Sequence, residues 1–265
     1  MNSKYLQCLL ISALGSGSCF AADTQADQGA YVGLFGGTGA AIATSLQQKG
    51  AVHLNDVHSL PINAKGSTGS STRVSMGGVQ AGYEWRRWDL GQSRWGMKPA
   101  VELEGIFLGK YSPTGTMPVR PRALGTQYVT IPMRTNLLLA NAVFTIQTPY
   151  SNKIFPYVGV GAGAAFVSIK GSDSANPSEP GINHFNSDPD ASSTAFAMQI
   201  KAGVKGEIYK NLYLFTEYRY VSINATSYDF GATDYPGVHL PTAPWRVNLG
   251  RQQYNFVVAG LQYKF

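Results

Sequence analysis

The chain has 265 residues, a length that suits one domain, and only 14% of them are charged. The formal net charge of +6 is spread thinly, and no basic run marks a nucleic-acid partner. Both cysteines, Cys8 and Cys19, fall near the start, and no apolar run beyond that region is long enough for a transmembrane helix.

Residues 1–21 read as a secretory signal peptide: Lys4, an apolar run from Tyr5 to Leu14, then small residues, with Cys19 and Ala21 at −3 and −1 of a cleavage before Ala22. A lipoprotein signal is the rival reading. It would want Leu three residues before Cys19, where Ser16 stands. Both cysteines fall inside the signal, so the mature domain, residues 22–265, has none and can form neither a disulfide nor a thiolate metal site.

The mature chain reads as a series of strands. Ala30–Gly36 is the first, followed by a stretch from Gly37 to Val74 rich in Gly, Ser, Thr and Asn, with no sustained period, which reads as a loop. In the second, Gly77–Arg86, Val79, Ala81, Tyr83 and Trp85 alternate with Gln80, Gly82, Glu84 and Arg86. In the third, Trp95–Leu108, Val101, Leu103 and Phe107 oppose Lys98, Glu102 and Glu104. A second loop runs from Gly109 to Pro132. The fourth strand, Met133–Ile146, has no clear polar face. Asn136 and Asn141 fall on opposite sides, which a β-bulge would reconcile.

The fifth strand, Phe155–Ser168, alternates Val158, Val160, Ala162 and Phe166 with Gly159, Gly161 and Gly163, and a third loop extends to about Ser193. In the sixth, Phe196, Met198, Ile200, Ala202 and Val204 share one face, while Gln199, Lys201, Lys205 and Glu207 share the other. A tight turn at Tyr209–Asn211 leads to the seventh, where Leu214, Tyr218 and Tyr220 oppose Glu217 and Arg219. A fourth loop, from Ser222 to about Arg251, precedes the last strand. There Val257, Ala259, Leu261, Tyr263 and Phe265 oppose Gly260, Gln262 and Lys264.

Eight strands with strictly alternating long and short links predict an all-β, transmembrane, antiparallel up-and-down barrel, with long loops outside and short periplasmic turns. The aromatics Trp85, Trp88, Trp95, Tyr263 and Phe265 gather at the short-turn end, as an interfacial girdle would. The apolar faces are then the lipid faces. The inward charges form one expected network: Glu84, Arg86, Lys98, Glu102, Glu104, Lys201, Lys205, Glu207, Glu217, Arg219 and Lys264. An eight-stranded lumen is narrow, so these charges must pair. The Gly-rich faces of strands one and five are expected to leave some room for water.

The ending Gly260-Leu-Gln-Tyr263-Lys-Phe265 resembles the terminal strand signal of bacterial outer-membrane β-barrels. With Phe155-Pro-Tyr157-Val-Gly-Val-Gly and Glu217-Tyr-Arg-Tyr220, it makes the chain similar to the small barrels: the OmpA transmembrane domain, OmpX and the opacity proteins. The resemblance implies an outer-membrane location and a barrel-assembly machinery that reads Gly260, Tyr263 and Phe265. It also implies contact with outer-membrane lipid and lipopolysaccharide, and a possible host or surface ligand at the loops.

Other motifs are weaker. Gly36-Gly37-Thr38-Gly39 imitates a dinucleotide fingerprint but lacks the βαβ context, so no cofactor is expected. His53, His58, His184 and His239 all fall in loops; with Asp56, Asp188 and Asp190 they could ligate a metal, yet solvated loop residues are the plainer reading. Of the enzymatic barrels, lipid A deacylases pair His with Ser two residues apart, a spacing that none of these histidines has. Asp188-Pro-Asp190 with His184 only faintly echoes an omptin site. The expected function is therefore non-enzymatic, carried by the loops in envelope integrity or surface contact and adhesion. A small porin-like channel is the alternative, and an outer-membrane enzyme comes third.

Overall fold

The computed structural model describes residues 28–69, 73–91, 94–151 and 153–265. The signal assignment, 1–21, lies outside them. In chain order the strands are β1 (Gly29–Ala41), β2 (Ser45–His53), β3 (Ser59–Thr68), β4 (Arg73–Glu84), β5 (Trp88–Asp89), β6 (Gly96–Leu108), β7 (Thr114–Arg120), β8 (Thr126–Thr130), β9 (Met133–Gln147), β10 (Ile154–Ile169), β11 (Asp173–Ala175), β12 (Ala191–Tyr209), β13 (Leu212–Ile223), β14 (Thr226–Phe230), β15 (Trp245–Leu249) and β16 (Gln252–Lys264). No helix among the described residues is long and apolar enough to cross a membrane.

Eight strands, β1, β4, β6, β9, β10, β12, β13 and β16, pair antiparallel with their sequence neighbours. The β1–β16 and β4–β6 pairings complete the ring. Closure leaves no free edge, so every ladder group has a partner. The barrel is inside out. Val204 is 43% exposed and its neighbour Lys205 only 8%. Val32, Leu34, Val79, Leu103, Phe107, Val160, Ile200, Leu214 and Val257 are likewise exposed, whereas Glu102, Glu104, Lys201 and Arg219 are buried. Water would penalise such an arrangement, and hydrocarbon favours it.

Strand β9 corrects the bulge expectation. Its register with β6 and β10 runs without a shift. Asn141 is simply inward and buried, and Asn136 is outward near the loop end, where a polar side chain reaches the interface.

The first long link is also corrected. It carries β2 and β3, a paired hairpin, where the sequence reads as irregular loop. With β7, β8, β11, β14 and β15, all from the long links, these strands form a second antiparallel sheet in the order β11-β8-β7-β3-β2-β15-β14. It stands over the loop end of the barrel. The stretch following β11 joins its two edges. Phe185 stacks on Phe230 of β14 at 4.4 Å between ring centroids. The Gly231 amide donates to the Asp188 carbonyl (2.8 Å), and Thr233 Oγ1 donates to the His184 carbonyl (3.0 Å). The buried vault residues, including Leu46, Met117, Val129, Phe185, Phe230 and Val247, continue the apolar filling of the barrel in one cluster.

Candidate functional site

Two regions carry the polar chemistry: the lumen of the barrel and the vault above it. In the lumen, odd-even alternation directs long side chains from β4, β6, β12, β13 and β16 at one another. Near the turn end, Glu84 accepts from Lys205 (2.7 Å), Lys264 (2.9 Å) and Thr145 Oγ1 (3.1 Å). Farther in, Glu104 takes both terminal nitrogens of Arg219 (3.0 and 2.9 Å) together with Lys201 (2.8 Å) and Gln199. Glu102 accepts from Lys201, from the Tyr31 hydroxyl (3.0 Å) and from Asn141 (3.1 Å). Glu217 accepts from Arg219 and from the Tyr157 hydroxyl (2.7 Å), and the Arg219 guanidinium lies 4.1 Å from the centre of the Phe35 ring.

Glu84, Glu102, Glu104 and Glu217 face Lys201, Lys205, Lys264 and Arg219, so four buried carboxylates meet four buried cations. Charge balance with multiple hydrogen bonds is what allows ions to stay in a dry interior. Arg86 and Glu207 of the expected network stand apart from it, and Lys98 sits at its edge. Arg86 lies beyond the end of β4 and is exposed. Glu207 is half-buried and accepts from the Asn211 amide at the turn. Lys98 is half-buried close enough to Lys205 to repel it. All three sit at strand ends, where a side chain can reach water. Conversely, Tyr31, Thr145, Tyr157, Asn141 and Gln199 belong to the network and carry no charge to announce them. Only Gln199 shares a strand face with charged residues, Lys201 and Lys205; the strands of Tyr31, Tyr157, Asn141 and Thr145 carry no charge on the inward face, so their part in the network has no local sequence signal.

The glycines do not leave a water channel. A Cβ on Gly161 would fall on Asn141 Oδ1, and one on Gly39 would meet the Phe256 ring. Glycine on these strands makes way for a neighbour's long side chain. The lumen retains a cavity of about 10 Å³ beside Gln80, Glu84 and Lys201, with room for about one water. Above the ions it is filled by Phe35, Ile106, Leu139, Tyr254 and Phe256.

The vault encloses a larger cavity, about 260 Å³. Ile62, Val119, Leu124 and Trp245 supply apolar walls; Gln48, Gln127, Asn176, Glu179, His184 and His239 supply polar groups. Such a mixture suits binding of a small ligand. The four loop histidines do not all meet. His53 bonds to Ser59 and His58 to Asn55 at the tip of the β2–β3 hairpin. Asp188 and Asp190 are spent on the turn, where Asp190 accepts from the Gly171 amide and Asp188 from the Asp190 amide. His184 and His239 do converge, and their acidic partner is Glu179, which the sequence reading passes over.

A closed eight-stranded barrel with an apolar outside, an ionic inside and long loops at one end defines a transmembrane β-barrel. The chain matches the model of the outer membrane protein beta-barrel domain over residues 9–265, and it belongs to that family. It is a protein of the bacterial outer membrane. Solved structures similar to it include Neisserial surface protein A, 15% identical, covering 89% of this chain and 97% of that one, with a TM-score of 0.35. OprG from Pseudomonas aeruginosa is 16% identical, covering 92% and 99%, with a TM-score of 0.42. Ail of Yersinia pestis is 12% identical, covering 82% and 98%, with a TM-score of 0.24. No curated protein sequence matches the chain.

Proposed function

We propose that this chain is a non-enzymatic outer-membrane protein that acts through its external loops in surface contact. One observation carries the reading: the loops fold into a seven-stranded vault with a 260 Å³ cavity, while the lumen beneath is filled by paired ions. Loops that merely linked strands would not need to fold into a sheet of their own.

The lipid face rests in outer-membrane lipid. Arg73, Lys110, Arg134, Lys170 and Arg251 are exposed at or just beyond the loop ends of β4, β6, β9, β10 and β16, where they suit the phosphates of lipopolysaccharide. The terminal strand, with Gly260, Tyr263 and Phe265, serves the barrel-assembly machinery. Loss of Phe265 is expected to leave the protein unfolded in the periplasm.

The test replaces residues 45–68 by a short turn in the full-length protein. Expected is a barrel that still shows heat-modifiable migration on gels and still seals the membrane, with adhesion to host-cell or abiotic surfaces lost. Unchanged adhesion would reject the loop reading. Large, steady, ohmic channels from the wild-type barrel in planar bilayers would put the small-solute pore in its place.

A further inference from the structure

We propose that Glu179, His184 and His239 form a binding site for a divalent transition-metal ion of the zinc type, which locks the third external loop to the fourth over the vault cavity.

Both imidazoles are oriented the same way by the backbone. His184 Nδ1 lies 2.7 Å from the Ser174 carbonyl, and His239 Nδ1 bonds to the Leu240 carbonyl. A carbonyl oxygen only accepts, which places the proton of His239 on Nδ1; at His184 the Gln127 amide nitrogen, which only donates, also lies 3.0 Å from Nδ1 and competes with the carbonyl. In a neutral ring a protonated Nδ1 leaves Nε2 as a bare lone pair. Both Nε2 atoms point at one carboxylate, His184 at 3.0 Å from Glu179 Oε2 and His239 at 3.4 Å from Oε1.

Two imidazole nitrogens and a carboxylate converging on one point form a donor set of the kind a metal ion takes. A metal ion would use all three donors, and the two nitrogen–oxygen distances, 3.0 and 3.4 Å, come near its spacing. A tetrahedral zinc ion with bonds of about 2.0–2.1 Å holds its ligand atoms about 3.3–3.4 Å apart. Here the three ligand atoms all lie within 4.8 Å of one another. A backbone carbonyl behind the other ring nitrogen is also the usual outer support of a metal-bound histidine, since it fixes the tautomer and the ring plane.

The surroundings favour a built site. His184 is buried at 5% exposure, held edge-on by the rings of Trp245 and His239 at 5.9 and 5.3 Å. Gln127 sits 3.0 Å from its Nδ1 and donates to Ser174 Oγ (2.8 Å), which in turn donates to Gln48 (3.1 Å). Glu179 keeps 37% of its side chain exposed, which gives an ion a way in. Three protein ligands leave a fourth position free for water or for an anionic group of a ligand lying in the cavity.

The site also makes structural sense. Glu179 and His184 follow β11, while His239 lies between β14 and β15, so one ion would span the two edges of the vault sheet. The proposal is independent of what the vault contacts.

The experiment uses the full-length refolded barrel, stripped with a chelator and titrated with Zn²⁺ by calorimetry, with Mg²⁺ as the control. Co²⁺ loading is read by its visible d–d bands. Expected are one Zn²⁺ per chain, no response to Mg²⁺, and the intense cobalt spectrum of a four-coordinate site. His239→Ala, in the link between β14 and β15 outside the membrane ring, should fold normally on heat-modifiability gels and weaken Zn²⁺ by about 100-fold or more; Glu179→Gln should weaken it by about tenfold or more. Absence of stoichiometric Zn²⁺ binding to the wild type would overturn the proposal. Unchanged affinity in a folded His239→Ala would overturn it too.

Discussion

The lumen is walled by a closed antiparallel sheet and the vault by an open one, and they treat polar groups in opposite ways. In the lumen every buried charge has an opposite charge in hydrogen-bond contact, and almost no volume is left. In the vault the buried charge is sparse, the core is apolar, and the polar side chains cluster around open volume. The difference teaches where function resides. A saturated network can hold a barrel shut but has nothing left to offer a ligand, whereas the vault keeps side chains in reserve around a cavity.

The sharpest break of that contrast is Arg219→Ala. It removes the guanidinium shared by Glu104 and Glu217, leaving buried carboxylates short of a cation. The expected loss is about 3–5 kcal/mol. Denaturant titration of the refolded barrel in lipid should show it, together with small unsteady conductance in planar bilayers. A variant as stable as the wild type would mean that the lumen ions are not a supporting network.

Next in size is Val204→Arg, which sets a cation against hydrocarbon on the outward face of β12. The cost is about 2–4 kcal/mol near the bilayer midplane. Its neighbour Lys205 faces Glu84, which keeps Lys264 as a second cation, so Lys205→Ala should cost less. Comparing the folded fractions of the two on heated and unheated gels tests the face assignment directly. Equal losses would reverse it.

A vault substitution should behave differently again. Phe185 is fully buried and stacked on Phe230, yet it lies outside the membrane ring. Phe185→Ala should loosen the vault and leave the barrel intact. Limited proteolysis should then cut within residues 170–190 while heat-modifiable migration is unchanged. Loss of the barrel itself would show the two regions to be one cooperative unit.

The same contrast explains what the sequence discloses. Lipid imposes an apolar residue at every second position of a crossing strand, so β12, β13 and β16 are legible from period alone, and the inward charges with them. Strand β9 defeats the pattern because its inward residues Leu137, Leu139 and Val143 are as apolar as its outward Leu138 and Ala140. It lines the filled upper lumen, where both faces see hydrocarbon-like surroundings. Strands β2 and β3 defeat it for another reason. Their buried side combines Leu46 with Gln48 and Ile62 with Ala64, and their outer side meets water, so no hydropathy period survives. The metal candidate depends on the same hidden sheet. Glu179, His184 and His239 come together only because the β14–β15 hairpin lies near the stretch after β11, and no sequence spacing encodes that approach.

The smallest effect expected is on the outer surface of the vault, at the Asp229–Arg246 pair across β14 and β15. Arg246 Nε donates to Asp229 Oδ1 at 2.7 Å, and its second nitrogen donates to Oδ2 at 3.2 Å. These hydrogen bonds hold the Asp229 carboxyl below its ordinary value. A carboxylate with a folded-state pKa below its unfolded one contributes stability at pH values above the ordinary carboxylate range. That contribution is lost as pH falls through the folded value. The pair is almost fully in solvent, so water and salt screen it heavily. Asp229→Asn should therefore change vault stability only slightly at neutral pH, and not at all once the wild type is acidified below the folded value. The slight difference at neutral pH should also vanish in high salt. The measurement is proteolytic opening of the vault at neutral and acid pH, in low and high salt. A large, salt-insensitive loss in Asp229→Asn would place this pair among the supports of the vault and make the outer surface resemble the lumen.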